Sequence, residues 1–219
     1  MATTIDDLMN IEPEDISTST QALFCFCLDT SLSMMGEKIK TINTCLEKFI
    51  KDNSEDVFNS NMTNICIIAF GGSEPKVIHE FDNIKNITFK KLEPNGGTHM
   101  AAGVELAIQK ILEERKKWEE RGTTFYKPLL IIMSDGKSDD NLKMIAKKEK
   151  QLIEEGKFNV SCVGFDIEND AQAKKDLQML CPNKKIETTD SFNMENYFQR
   201  LSRSVSNTSR QFAGPIEDF

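Results

Sequence analysis

Short, continuous apolar segments alternate with longer segments of helical periodicity along most of this chain, and this alternation constrains the fold more than any other feature. Four apolar segments have the length of buried strands: Ala22–Leu28, Asn64–Phe70, Pro128–Met133 and Asn159–Phe165. A strand that is apolar on both faces belongs in a sheet that is covered on both sides. Because strands that alternate with helices favour βαβ units, the sequence predicts an α/β, doubly wound, mostly parallel sheet with helices on both faces.

The segments between the apolar runs supply the helices and one less regular strand. Val77–Phe81 is shorter and more polar than the other strand candidates, and we predict it to be a short antiparallel edge strand. Residues 82–93 receive no assignment. Further elements are predicted at Gly36–Lys51, Met100–Glu120, Asn141–Glu155, Ala171–Leu180 and Phe192–Ser206, all helical, and at Lys185–Glu187, a short strand. We divide the chain into an acidic N-terminal leader (1–20), one domain (21–207) and a C-terminal tail (208–219).

The charge and the distribution of apolar residues argue against two classes of partner. A net charge of −8 disfavours nucleic-acid binding, which needs clustered Lys and Arg. No apolar segment approaches the roughly 18–20 residues that span a bilayer, so no membrane association is predicted. The acidic N-terminus also lacks the basic start and the apolar stretch of a secretory signal.

The cysteines predict a reducing environment. The chain has six, and they form no CxxC pair or Cys/His cluster of the kind that binds zinc. Four of them, Cys25, Cys27, Cys66 and Cys162, lie inside apolar strand segments. Free, buried thiols are the simplest interpretation, and they suggest a cytoplasmic location.

Three polar loops are predicted at one edge of the sheet. Asp29, Ser31 and Ser33 follow the first strand, Asp135 follows the fourth, and Thr98 precedes the longest helix. Open α/β sheets bind ligands at the carboxyl ends of their strands, where the strand order reverses. Two carboxylates and three hydroxyls are the hard oxygen donors that Mg²⁺ prefers. Soft ligands are absent from these loops, which argues against zinc or copper.

Each loop taken alone has a simpler explanation. A Ser-rich loop after a strand is most often a helix N-cap. The Ser-Asp-Gly segment after the fourth strand also fits an ordinary turn. The Gly-Gly-Thr segment resembles a phosphate-binding loop but lacks its GKS or GKT ending. The occurrence of all three, each at its place in the strand order, favours one shared metal site.

With these loops in this order, the sequence resembles the von Willebrand factor A family. The metal-ion-dependent adhesion site of that family has the pattern DxSxS, then a distant Thr, then a distant Asp. Asp29, Ser31 and Ser33 match the first part, Thr98 the second and Asp135 the third. The resemblance implies a Rossmann-like fold and a bound Mg²⁺, with Mn²⁺ or Ca²⁺ as alternatives.

The resemblance also implies how such a site works. The two serines ligate the cation directly, while the threonine and the aspartates do so directly or through water. One coordination position stays open for a Glu or Asp of a partner protein. The resemblance covers roughly residues 20–206, and the segment GGTHMAAGVELA looks most similar to bacterial tellurium-resistance-type stand-alone members. This similarity suggests a stress-response or regulatory complex.

Leu32 departs from the family pattern, because the residue between the two serines is often Gly. A leucine at this position has two alternatives. It packs into the domain, or it stands at the rim of the site, where it adds an apolar contact or narrows the approach of a partner.

Three functions compete at this stage. The leading one is a non-enzymatic, metal-dependent module that binds an acidic side chain of a partner. A Mg²⁺-dependent phosphoryl-transfer or hydrolytic enzyme would need a nucleophile and a positive clamp for phosphate. Lys38 and Lys137 lie near the loops but form no recognised motif. The third alternative is a structural scaffold with an inactive site. The presence of all five ligand residues in the correct order argues against it.

A few other residues have a functional and a simpler interpretation. His99 follows Thr98, so a role at the rim of the site is one interpretation, but we predict an exposed histidine at a helix start. Asp139 and Asp140 lie near Asp135 and could enlarge an acidic rim, but we predict that they are N-cap and first-turn residues of the next helix. The segments DDL at 6–8 and IEDF at 216–219 place acids beside apolar residues. They raise the hypothesis of self-association, in which one copy fills the metal site of another. Irregular chain ends are the simpler interpretation.

Overall fold

The computed structural model describes residues 20–182, 184–190 and 193–210. Its sheet has the strand order β3-β2-β1-β4-β5-β6. The strands are β1 (Ala22–Asp29), β2 (Thr63–Phe70), β3 (Lys76–Asn83), β4 (Leu129–Ser134), β5 (Asn159–Phe165) and β6 (Glu187–Thr189). The pairing of β3 with β2 is antiparallel, whereas β1 pairs in parallel with both β2 and β4. The predicted doubly wound sheet and its antiparallel edge strand are confirmed.

Helices connect the strands and cover the sheet. They are α1 (Glu37–Glu55), α2 (Val57–Met62), α3 (Met100–Arg121), α4 (Lys143–Glu154), α5 (Ala171–Met179) and α6 (Met194–Arg210). The five predicted helices are found, with ends that differ by a few residues. Residues 1–19 and 211–219, which make up most of the predicted leader and tail, lie outside the described residues. No helix in the described ranges is long and apolar enough to cross a membrane.

Apolar cores lie on both faces of the sheet. On one face, α1 and α6 pack so that the ring of Phe26 lies 5.5 Å from that of Phe49 and 6.1 Å from that of Phe198, measured between centroids. On the other face, α3 and α5 contribute Ile108 and Leu177, both fully buried. Burial on both faces explains why the central strands are continuously apolar rather than alternating.

Two local assignments differ from the sequence-based predictions. The last strand was predicted at Lys185–Glu187 but is Glu187–Thr189, because its register is fixed by pairing with Val163–Phe165 of β5. A strand of three residues shows too few alternating positions for its ends to be located from the sequence. The sequence also gave no sign of α2, a helix of six residues. The carboxylate of Asp56 caps it by accepting backbone N–H groups of the first turn.

The topology brings two strand ends together. The chain leaves β1 towards β2 on one side and later returns to β4 on the other, so the strand order reverses between β1 and β4. Leu28 of β1 pairs with Met133 of β4, and the residues that follow them therefore leave the sheet side by side. This is where open α/β sheets form ligand crevices.

Candidate metal centre

Asp29 ends β1, and its side chain is completely buried at the carboxyl edge of the sheet. The backbone N–H of Ser31 donates to Oδ1 at 2.7 Å, and the hydroxyl of Ser134 donates to Oδ2 at 2.5 Å. Burial raises the pKa of Asp29 to about 6, while the hydrogen bonds from Ser134 and Ser31 act in the opposite direction. Both carboxylate oxygens are thus held in fixed directions.

A chain of hydrogen bonds links the loop after β1 to the loop after β4. The Oγ atoms of Ser31 and Ser33 are 2.9 Å apart. The hydroxyl of Ser33 donates to Oδ1 of Asp135 at 2.8 Å. A single 3₁₀ turn, Leu32–Met34, curls the first loop and brings its two serines to the same side. The predicted ligands of these two loops are therefore contiguous in space.

Thr98 lies in a third loop that is tied to both of its neighbours. Leu32 donates its backbone N–H to the carbonyl of Gly96 at 3.0 Å. The N–H of Thr98 donates to Oδ2 of Asp139 at 2.7 Å. Gly96 has a φ of +60°, and a Cβ on it would lie 2.3 Å from Cα of Gly72. Glycine is required there by both conformation and space, and this close approach brings the Thr98 loop against the metal-site edge.

Lys38 adds a positive charge to the centre. It lies in the first turn of α1, and its ammonium forms an ion pair with Oδ2 of Asp135. The side chain of Asp135 is only 1% exposed, against 27% for Lys38. The carboxylate of Asp135 is therefore shared between a hydroxyl donor and an ammonium group.

The chemistry of this donor set fits a hard divalent cation. Two carboxylates and two hydroxyls are linked at one edge of the sheet, and Thr98 lies in the adjoining loop. Oxygen donors of this kind suit Mg²⁺, Mn²⁺ or Ca²⁺. Within the described ranges, no group of three His, Cys, Asp or Glu side chains is arranged to hold a metal ion. A cation at this centre would therefore depend on the hydroxyls and on water as well as on the two carboxylates.

Sequence reasoning missed two side chains that matter here. Ser134 was seen only as part of a turn-like segment, yet it donates to Asp29. Lys38 was noted near the loops without a role, yet it contacts Asp135. The available signal for Ser134 was its place at the end of a buried strand. For Lys38 the signal was its position in the first turn of the helix that follows the first loop.

The prediction for Asp139 and Asp140 was wrong. Helix α4 begins at Lys143 with Leu142 at its N-cap, so neither aspartate caps it. The loop after β4 instead folds back towards the Thr98 loop. The backbone N–H of Thr98 needs an acceptor there, and it donates to the carboxylate of Asp139. His99 is the N-cap residue of α3, as predicted. It is only partly exposed rather than exposed, because its Nδ1 lies 3.0 Å from Oδ1 of Asp140.

Leu32 stands at the rim of the centre. Its side chain is 54% exposed, and that of Met35 in the same loop is 65% exposed. The alternative in which Leu32 packs into the domain is excluded. Two large apolar side chains thus lie close in sequence to Ser33, which is itself an exposed residue.

Comparison with known proteins places this fold in a family. The family model for the von Willebrand factor type A domain matches residues 24–206. The inter-alpha-trypsin inhibitor heavy chain H4 of Sus scrofa is 29% identical over 156 residues, which are 65% of this chain and 15% of that protein. The inter alpha-trypsin inhibitor heavy chain 4 of Mus musculus is 27% identical over 167 residues, 71% of this chain and 17% of that protein. The chain thus spans less than a fifth of the length of either relative.

Several solved structures share the fold. The vWF domain of the type V pili tip protein Mfa5 from Porphyromonas gingivalis superposes with a TM-score of 0.65 at 12% identity, over 92% of this chain and 99% of that one. The pilus adhesin SpaC from Lactobacillus rhamnosus GG superposes with a TM-score of 0.68 at 13% identity, over 85% of this chain and 30% of that one. The manganese-loaded TRAP protein of Plasmodium vivax superposes with a TM-score of 0.55 at 16% identity, over 82% of this chain and 72% of that one. At these identities the likeness concerns the fold alone.

Proposed function

Because this chain belongs to the von Willebrand factor type A domain family, whose members commonly mediate protein interactions, we propose that it is a protein-binding module that works through a divalent cation. The cation would be held by the five oxygen-bearing side chains of the candidate metal centre. These are Asp29, Ser31, Ser33, Thr98 and Asp135.

One observation carries this proposal: the hydrogen-bonded chain that joins Ser31, Ser33 and Asp135 at the point where the strand order reverses. Side chains from distant parts of the sequence converge there, and each of the three carries an oxygen donor. The manganese in the TRAP neighbour is a property of that protein, and it makes Mn²⁺ a reasonable probe for this one. Mg²⁺ remains our proposed physiological ion, with Mn²⁺ or Ca²⁺ as alternatives.

The residues of the centre define what the module would recognise. When bound, the cation supplies positive charge for a Glu or Asp side chain of a partner protein. The serine and threonine hydroxyls are neutral donors, so the two aspartates provide the only formal negative charges among the five side chains. Leu32 and Met35 offer apolar contacts at the rim. The expected partner segment is therefore an acid with apolar neighbours.

A binding role is favoured over phosphoryl transfer or hydrolysis. Phosphoryl transfer needs several positioned groups, namely a clamp for the phosphate and a residue that orients the nucleophile, whereas Lys38 is the one cationic side chain that forms an ion pair with a proposed ligand among the described residues. The ring of His99, the histidine closest in sequence to the proposed ligands, faces Asp140 rather than a nucleophile. We therefore propose that the chain is not an enzyme.

We also propose a cytoplasmic location for this domain. Six free cysteines, all buried, support a reducing and hence cytoplasmic environment. A bacterial stress-response role of the tellurium-resistance type rests only on the resemblance of the GGTHMAAGVELA segment. The relatives found by comparison are instead inhibitor heavy chains, pilus proteins and a TRAP protein.

Calorimetric titration with Mn²⁺ and Mg²⁺ tests the metal site. We expect binding by the wild type, and loss of binding in Asp29→Ala and in Ser33→Ala. Ser33 is exposed, so its replacement leaves the buried part of the site in place. Asp52→Ala, an exposed aspartate on α1, is the matched control. Absence of binding by the wild type would leave a scaffold with an inactive site as the better description.

Capture of partners with and without EDTA tests the mechanism. The wild type, immobilised in Mg²⁺, should retain partner proteins that EDTA releases and that Ser33→Ala does not retain. Partners that are retained equally in EDTA would contradict a role for the cation.

Self-association through the acidic chain ends is a separate hypothesis. The segments at 6–8 and 216–219 lie outside the described residues. Light scattering in Mg²⁺ and in EDTA, before and after removal of 1–19 and 211–219, tests it. A mass that neither treatment changes would remove the idea.

A further inference from the structure

Lys38 pairs with a buried acid, although lysine side chains usually extend into solvent. Its ammonium contacts Oδ2 of Asp135, a proposed metal ligand whose side chain is almost fully buried. The other oxygen of that carboxylate accepts the hydroxyl of Ser33. Both oxygens of Asp135 therefore have a donor from this chain.

The neighbouring lysine of the same helix behaves differently. Lys40 pairs with Glu37 at 2.7 Å, and both side chains are mostly exposed, at 66% and 76%. Exposed pairs of this kind contribute little free energy. Removing one partner of a buried pair is far more damaging, because the other charge is left without compensation. Of the ion pairs found among the described residues, the pair of Lys38 with Asp135 is the one that includes a member of the candidate metal centre.

The charges at the centre make the ammonium a competitor of the metal. Asp29 and Asp135 belong to one hydrogen-bonded cluster, in which Ser31 and Ser33 join the two carboxylates. Two acids at one buried edge repel each other unless a cation lies between or beside them. In the arrangement described here, that positive charge comes from Lys38.

We propose that Lys38 is the counter-cation of the metal-free centre, whose ammonium occupies Asp135 until a divalent cation displaces it, so that Lys38 sets how tightly the centre binds metal. This inference rests on the proposed function, since it requires a divalent cation at Asp135. It adds a residue outside the five-ligand pattern. It also means that, without a divalent cation, the charge of Asp135 is compensated by the ammonium of Lys38.

The inference predicts opposite effects of one substitution on two properties. Lys38→Met removes the competing charge, so the dissociation constant for Mn²⁺ should fall at least tenfold. The same variant should unfold at a lower temperature than the wild type in EDTA, because Asp135 is left buried without its partner. Lys38→Arg keeps the charge and should stay close to the wild type in both measurements. Lys40→Met is the matched control and should change neither.

Calorimetry with Mn²⁺ separates this inference from the proposed function. If the wild type binds and Lys38→Met binds with the same or lower affinity, the inference is overturned and the proposed function stands. Binding by Lys38→Met but not by the wild type would overturn both proposals, because it would mean that the cation does not displace the ammonium. If neither protein binds Mn²⁺, both proposals are overturned.

Chemical labelling of the wild type gives a readout that does not depend on how a variant folds. An amine-acetylating reagent, followed by peptide mass spectrometry, reports the reactivity of each lysine. We expect Lys38 to be protected in EDTA and to become several-fold more reactive in saturating Mn²⁺, while Lys40 reacts equally in both. Unchanged reactivity of Lys38 in a protein that binds Mn²⁺ would show that the ammonium is not displaced.

Discussion

Ser33 and Asp135 are 102 positions apart in the sequence, yet the hydroxyl of Ser33 donates a hydrogen bond of 2.8 Å to Oδ1 of Asp135. The contact exists because β1 and β4 are parallel neighbours whose carboxyl ends meet at one edge. It joins the two loops that carry four of the five proposed ligands. The chemistry of the site therefore depends on this pair of strands more than on any single loop.

Removal of the metal should lower the stability of the loaded protein. A ligand that binds only the folded state at a concentration 100 times its dissociation constant adds about 2.7 kcal/mol. We expect the melting temperature of the wild type to rise in saturating Mn²⁺ and to return to its starting value in EDTA. Calorimetric scans of Ser33→Ala should show no such shift. A shift of the same size in that variant would contradict the site.

Ser134→Ala should weaken metal binding although Ser134 is not a proposed ligand. Its hydroxyl orients the buried carboxylate of Asp29, and loss of such an orienting partner typically lowers metal affinity about 10- to 100-fold. Titration with Mn²⁺ measures the change. Ser54→Ala removes an exposed hydroxyl that donates to a helix carbonyl and should leave the affinity unchanged. Equal affinities for both variants would exclude this role of Ser134.

Glu149 predicts a pH dependence of stability. Its side chain is fully buried in α4, neither carboxylate oxygen has a hydrogen-bond partner among the described residues, and burial raises the pKa of the carboxyl well above its usual range. The folded state therefore keeps a proton that the unfolded chain releases above about pH 4.3. The free energy of unfolding falls as pH rises between these two pKa values, and the loss is complete above the folded-state value.

Glu149→Gln removes this titration. The variant should gain stability relative to the wild type as pH rises, by up to about 1.4 kcal/mol per pH unit within that window. Urea unfolding at pH 5, 6.5 and 8 measures the difference. Glu154→Gln, an exposed position of the same helix, should show a constant difference. A constant difference for Glu149→Gln as well would mean that its carboxyl does not hold the proton.

Phe49 should be a major contributor to the stability of the core. Its ring packs edge-on against Phe24, Phe26 and Phe198. Truncation of such a residue to Ala typically costs about 3–5 kcal/mol, which denaturant titration detects easily. Phe58→Ala is the matched control, since that ring is 62% exposed and its loss should change stability by about 0.5 kcal/mol or less.

Leu32→Ser should separate metal binding from partner binding. Because the side chain is exposed, we expect the melting temperature and the Mn²⁺ affinity to stay close to those of the wild type. Retention of EDTA-sensitive partners should fall, since an apolar rim contact is lost. Lower Mn²⁺ affinity in this variant would instead assign Leu32 to the support of the ligands.

Parts of the fold and of the site differ in how far the sequence alone could predict them. The central strands were predictable because burial on both faces leaves an unbroken apolar run, and the long helices because their apolar residues recur with the helical period. The short strand β6 was displaced by two residues, since pairing with Val163–Phe165 fixes its register. The roles of Asp139 and Asp140 were also missed, because they follow from contacts with residues about 40 positions away.

By itself, the sequence determined the fold class, the parallel order of its elements and the loops that carry oxygen donors. These features follow from short stretches of sequence: apolar runs, helical spacing and the residues that directly follow each strand. Only the tertiary structure decided which donors meet, that Leu32 faces outward, and that Lys38 pairs with Asp135. The physical reason is that hydrogen bonds and ion pairs act over a few ångströms. Which distant residues come that close depends on how the strands pack, which no local pattern records.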